Sequence, residues 1–185
     1  METLCKHQDH SLSQDDCKDL VCERLQVLVA MQQYAKFADE ANPAYSPQQL
    51  AAVEAMLEAF GSWLSIAYIE ETSDAQGKRY FSCLIDASCD KLPLGNGAVK
   101  RKPKFRIELP GFPILGHGKS DNQNCAVIFT RGEILQMIDA NQDAYFEASL
   151  FLPSALQEFC QGERGGRRPG ILGFREHIFS SVGLL

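Results

Sequence analysis

The residues able to do chemistry are concentrated between Leu109 and Glu147 (LPGFPILGHGKSDNQNCAVIFTRGEILQMIDANQDAYFE). Gly111, Gly116 and Gly118 lead up to Lys119, and Asp121, Asn122, Gln123 and Asn124 follow it. Glycines let a backbone approach an anion closely, and a lysine at the tip of such a loop supplies positive charge. Asn and Gln both donate and accept hydrogen bonds, so they suit a sugar or a nucleobase. A second polar group, Asp139-Ala140-Asn141-Gln142-Asp143, follows an apolar stretch. At a strand end such a cluster can hold a metal-diphosphate or a ribose. Equally, Asp139 or Asp143 can cap a helix expected over Ala144 to Leu152. The spacing leaves both readings open.

Gly118-Lys119-Ser120 has the ending of a P-loop, which also needs a glycine six residues before its lysine. Pro113 stands there and has no N–H to offer a phosphate. A nucleoside-triphosphatase reading therefore falls away.

The elements that must position these residues can be read from periodicity. From Leu20 to Ala38, Val21, Leu25, Leu28, Val29, Met31 and Phe37 recur mostly at three- and four-residue steps and predict a helix ended by Asn42-Pro43. Ser46-Pro47-Gln48-Gln49 predicts the start of a second helix, with Ser46 at the N-cap, that buries Leu50, Val53, Leu57 and Phe60 and closes at Gly61. The period then changes to two. Leu64–Glu70 and Arg79–Asp86 read as strands around the turn at 73–77, and Lys104–Leu109 reads as a third. The stretch between, with Pro93, Gly95 and Gly97, reads as a surface loop. Ala126–Thr130, Arg131-Gly132 and Glu133–Ile138 predict a hairpin. Helices followed by strands give an α/β (mixed α+β) fold, N-terminal helices preceding a mixed sheet.

Composition sets the bounds. The 185 residues are 45% hydrophobic and 23% charged, ordinary values for a folded domain. A net charge of -6 argues against nucleic acid, whose binding relies on clustered Lys and Arg. The basic cluster Lys100, Arg101, Lys102, Lys104 and Arg106 reads as a solvated strand edge. No apolar run approaches the roughly 20 residues that span a bilayer. The seven cysteines lack a scaffold spacing and read as reduced thiols. Cys5, His7, His10, Cys17 and Cys22 are zinc-ligating types at irregular intervals, so residues 1–20 read as a polar, flexible segment and 21–185 as one partial domain.

The words G-x-G-K-S-D-N-Q-N, I-F-x-R-G-E and Q-x-I-D-A-N-Q-D-x-Y-x-E resemble the signature of fungal 1,3-β-glucan synthases and plant callose synthases. The resemblance extends to LVAMQQYAKF (Leu28–Phe37), IAYIEE (Ile66–Glu71), KPKFRIELPG (Lys102–Gly111) and ILGFREHIF (Ile171–Phe179). It implies part of a membrane enzyme that transfers glucose from UDP-glucose onto a growing β-1,3-glucan acceptor. The implied fold is a partial GT-A-like glycosyltransferase domain at the cytosolic face of the plasma membrane. On this resemblance Lys119 contacts the donor diphosphate and Asp139 is the acidic group near nucleotide and sugar, the two catalytic assignments. Asn122, Gln123, Asn124, Asn141, Arg175 and Glu176 line the same cleft. A small GTPase as regulatory subunit is also implied, and no cofactor is required, although a divalent metal such as magnesium is compatible with the acidic cluster. Cys125 stands where the family commonly has histidine, and later catalytic carboxylates and the membrane helices lie outside the sequence, so the segment is expected to be inactive alone. The alternative is a non-catalytic sugar-nucleotide-binding or regulatory module derived from the same family.

Overall fold

The computed structural model describes residues 13–75, 77–113, 119–138, 150–160, 168–173, 179–180 and 183–184. The chain divides into two compact units, residues 2–134 and residues 135–185, the latter grouped with Met1.

The first unit opens with helix α1 (Gln14–Arg24). Ser13 caps it, and a reciprocal capping box with Asp16 satisfies its first N–H groups. Cys17 and Val21, one turn apart, form its buried face. Residues 14–20 of the polar N-terminal stretch are thus helical, with Ser13 as their cap. Residues 1–12, with Cys5, His7 and His10, lie outside the described residues.

The single helix expected over Leu20–Ala38 is three elements. α1 stops at Arg24, strand β1 occupies Val27–Ala30, and a one-turn helix α2 occupies Tyr34–Phe37. Four-residue apolar runs such as VLVA fit a helix and a strand equally, and here pairing with a neighbouring strand decides. Val29 packs toward one face of the sheet, Leu28 and Ala30 toward the other. That period of two is invisible until the neighbour is known.

Helix α3 (Pro47–Phe60) forms as the sequence predicts. The Ser46 hydroxyl accepts from the Gln49 N–H, Pro47 sits in the first turn, and Gly61 ends the helix at φ 55. Leu50, Val53 and Leu57 are buried, but Phe60, in the last turn, is 57% exposed.

Strands β2 (Leu64–Asp74) and β3 (Gly77–Asp86) form a long antiparallel hairpin, with Glu70 opposite Phe81 and Asp74 opposite Gly77. Gly77 adopts φ 126, which a side chain would strain. The expected loop contains a small hairpin of its own, β4 (Lys91–Pro93) and β5 (Val99–Arg101), turned at Gly97 with φ 83. Strand β6 (Phe105–Glu108) pairs antiparallel with β3. The four-stranded sheet runs β1-β2-β3-β6, with β1 parallel to β2.

Both faces of this sheet are covered. Leu64, Ile66, Tyr68, Phe81, Cys83 and Ile85 meet Tyr34, Phe37, Leu50, Val53 and Leu57 on one side. On the other, Ala67 and Leu84 meet Ala126 and Phe129. Those last two residues belong to helix α4 (Lys119–Ala126) and the 3-10 turn Val127–Phe129. A strand had been expected from Ala126 to Thr130. Instead helix α4 ends in a tight turn, and residues 131–138 carry no strand. The basic run is likewise not a solvated edge throughout. Arg101 is buried, Lys104 pairs with Asp86 at 2.8 Å and Arg106 with Glu70 at 2.6 Å.

In the second unit, helix α5 (Leu152–Cys160) carries half-buried Leu152, Ala155 and Phe159 on one face. Strands β7 (Phe179–Ser180) and β8 (Gly183–Leu184) form a short antiparallel pair. The helix expected over Ala144–Leu152 falls mostly outside the described residues. Among the described residues no helix is long and apolar enough to cross a membrane.

Candidate functional site

β1 ends at Ala30, beside Ala67, while β2 continues to Asp74. Past that point β2 has no strand on this edge among the described residues. A cavity of about 970 Å³ opens there, flanked by β2 residues 68–73 and by the chain that follows β1. Crevices outside the carboxyl ends of parallel strands, where neighbours part, are the usual ligand positions in open α/β sheets.

Aromatic rings form much of the wall. Tyr34 and Tyr68 lie with centroids 4.6 Å apart, and Tyr80 meets Phe112 edge-on at 5.2 Å. Burial pushes the Tyr68 phenol well above its ordinary range, reinforced by the neighbouring Cys83, Tyr34 and Glu70. Burial, with the Glu70 charge, also pushes the Cys83 thiol up to about 12. Tyr34 is raised as well, chiefly by burial. These groups therefore stay protonated at neutral pH; Tyr34 and Tyr68 act as neutral wall, and Cys83 lies in the core behind them.

Arg101 fixes the floor. Its Nε and Nη2 donate to the two Glu54 oxygens at 2.7 and 2.9 Å, and Nη1 donates to the carbonyls of Ala87 and Cys89 at 2.9 and 2.7 Å. Its backbone N–H donates to the Tyr34 hydroxyl at 3.2 Å, which orients that ring. Burial alone would raise the Glu54 carboxyl, but hydrogen bonds from Arg101 and Lys91 outweigh it and hold it below its usual range. Arg106 lies 3.3 Å above the Phe81 ring while its Nε donates to Glu70 at 2.6 Å. Stacking and pairing together hold that guanidinium on the cavity wall.

Helix α4 supplies the polar wall. Ser, Asp and Asn are weak helix formers, so local propensity does not explain these two turns. Tertiary contacts do: Asn122 and Ala126, one turn apart, are buried, and the Ser82 hydroxyl donates to the Cys125 carbonyl at 3.0 Å. Asn122 is only 2% exposed, yet its Oδ1 and Nδ2 have no hydrogen-bond partner among the described residues. Leaving a buried amide unpaired costs about 1–3 kcal/mol per group. Asp121 and Asn122 are both among the residues that line the cavity, although the two polar atoms of the Asn122 carboxamide are themselves closed to solvent.

Of the residues the sequence nominated, Asn122 thus reaches this cavity. Gln123 is half-buried and Asn124 exposed, and neither lines it. Lys119 is exposed at the first position of α4 and is not among the cavity-lining residues. Asp139, Asn141, Arg175 and Glu176 lie outside the described residues. Among the described residues no group of three or more His, Cys, Asp or Glu is arranged to hold a metal ion. Tyr34, Tyr68, Tyr80, Phe112, Arg101 and Arg106 were not nominated. Each has a second, structural duty that makes it look like core or surface in sequence.

The fold and the crevice define a mixed α/β domain with a cavity at its sheet's parallel edge. The family model of the 1,3-beta-glucan synthase component matches residues 1–185. The chain is 42% identical over 179 residues to 1,3-beta-glucan synthase component FKS1 of Aspergillus niger, covering 88% of this chain and 9% of that protein. It is 40% identical over 189 residues to the component bgs1 of Schizosaccharomyces pombe, covering 92% and 10%. Callose synthase 7 of Arabidopsis thaliana is 48% identical over 121 residues, covering 63% and 6%. The chain belongs to the 1,3-beta-glucan synthase component family and spans about a tenth or less of these relatives' lengths.

Proposed function

We propose that this chain is the donor-side portion of a 1,3-β-glucan synthase that transfers glucose from UDP-glucose to a growing β-1,3-glucan. The observation that supports it most directly is that Asn122, a residue lining the cavity, has a buried carboxamide with no partner among the described residues, in a chain of this family. A sugar nucleotide presents the alternating donors and acceptors that such an amide needs. In this reading Asn122 meets the donor at the cavity, and the family resemblance adds Gln123 and Asn124, which do not line the cavity, together with Asn141, Arg175 and Glu176. The resemblance likewise gives Lys119, outside that lining, the part of stabilising the charge that grows on the departing UDP. Asp139 is the acidic group at the nucleotide and sugar. Transfer also needs a base to take the proton of the acceptor hydroxyl. That base and the polymer's passage across the plasma membrane belong to the longer protein, whose cytosolic face carries this segment and whose regulatory subunit is a small GTPase. Alone, the segment binds donor without turnover.

Titration calorimetry of the 185-residue chain with UDP-glucose tests this. Saturable binding that Asn122→Ala and Lys119→Ala each weaken at least about tenfold is expected. Binding indifferent to both substitutions would remove the site assignment. Formation of β-1,3-glucan by the isolated chain would remove the claim that it cannot turn over.

A further inference from the structure

The donor assignment leaves part of the cavity lining unused. Phe112 lines the cavity while remaining 56% exposed, and Tyr80, nearly buried, braces it edge-on. An open aromatic face on a cavity wall, held by a second ring, suits a flat apolar surface of a ligand. Opposite Tyr80 in the hairpin register lies Glu71, and Ser73, two residues on, shares its face of the sheet; both line the cavity. The Glu71 carboxylate also pairs with Lys78 at 2.6 Å. Both residues stand on the stretch of β2 that β1 does not cover.

Charge leaves room for a neutral ligand. Four basic and four acidic side chains line the cavity, so it is not restricted to anions. A neutral, hydroxyl-rich ligand with one flat apolar face meets all these conditions. A β-glucosyl ring fits, because its equatorial hydroxyls leave C–H bonds on its two faces, and these pack against the negative face of an aromatic ring.

We propose that Phe112, braced by Tyr80, is a stacking platform for a glucosyl unit of the acceptor glucan, with Glu71 and Ser73 taking its hydroxyls. This rests on the donor reading above for its place in the reaction, and its test separates the two. The intact 185-residue chain is titrated with laminarihexaose and, separately, with UDP. Phe112→Ala is expected to weaken laminarihexaose at least about tenfold, Phe112→Trp to retain it, and neither to change UDP affinity. Phe112 is exposed, so unchanged thermal melting of both variants is expected to exclude unfolding as the cause. Laminarihexaose affinity that is absent in the parent chain, or unchanged in Phe112→Ala, overturns the platform. So does a loss of UDP affinity equal to the loss of oligosaccharide affinity, since the ring would then serve the nucleobase. If UDP fails to bind while laminarihexaose binding depends on Phe112, the donor reading falls and the platform stands.

Discussion

Helices α3 and α4 both cover the same sheet, yet they are opposite in kind. α3 has a serine cap, a proline in its first turn, strong helix formers and an apolar stripe of Leu50, Val53 and Leu57. α4 has weak formers and buries Asp121 and Asn122 beside Ala126. In α3 every local preference agrees with the tertiary environment, which is what stability requires. In α4 they disagree, and the buried carboxamide has no partner among the described residues. Natural proteins break such rules mainly at functional sites, and this contrast is why α4 rather than α3 is proposed to bind.

The largest expected effect breaks the support. Glu54 on α3 holds Arg101, whose side chain is 4% exposed. Removing one partner of a buried pair leaves an uncompensated charge, so Glu54→Ala should cost about 3–5 kcal/mol in urea unfolding. A loss below 1 kcal/mol would mean that α3 does not fix the cavity floor. A smaller effect comes from the cap. Ser46→Ala should cost about 1 kcal/mol, by the same measurement, because the Gln49 N–H loses its acceptor. Because the cap lies outside the cavity lining, UDP-glucose affinity should not change.

The smallest effect is in acid. Burial opposes the Asp86 carboxylate, but hydrogen bonds from Lys104 and Ser88 prevail and hold its pKa at about 2, against an ordinary 3.8. A carboxyl depressed on folding contributes stability that is fully present above its unfolded value and disappears as pH falls through the folded one. Unfolding followed from pH 5 to pH 2 should therefore show a loss that Asp86→Asn removes. With Lys104 nearly half exposed, the amount is about 1 kcal/mol or less. An identical acid profile in the variant would refute the assignment.

The same contrast explains what could be read in the sequence. The β2–β3 hairpin was legible because two alternating runs flank a turn-forming segment, and α3 because its cap, period and terminal glycine concur. β1 was not, since its four apolar residues carry no period until β2 is beside them. α4 was not legible, because its burial follows from the sheet, not from its own residues. The cavity residues hid for a related reason. Arg101 and Arg106 sit in a run of surface-like charges, while their partners Glu54 and Glu70 lie 47 and 36 positions away. Asn122 was legible as a polar residue of a resembling motif, but not as the one that would be buried.

The most direct test of the distinction is Asn122→Leu, measured for both stability and binding. If the buried amide exists for ligand, an isosteric apolar side chain should leave the melting temperature unchanged or raise it, and should abolish UDP-glucose binding. A lowered melting temperature with UDP-glucose affinity intact would show that Asn122 serves the fold, and would contradict the account.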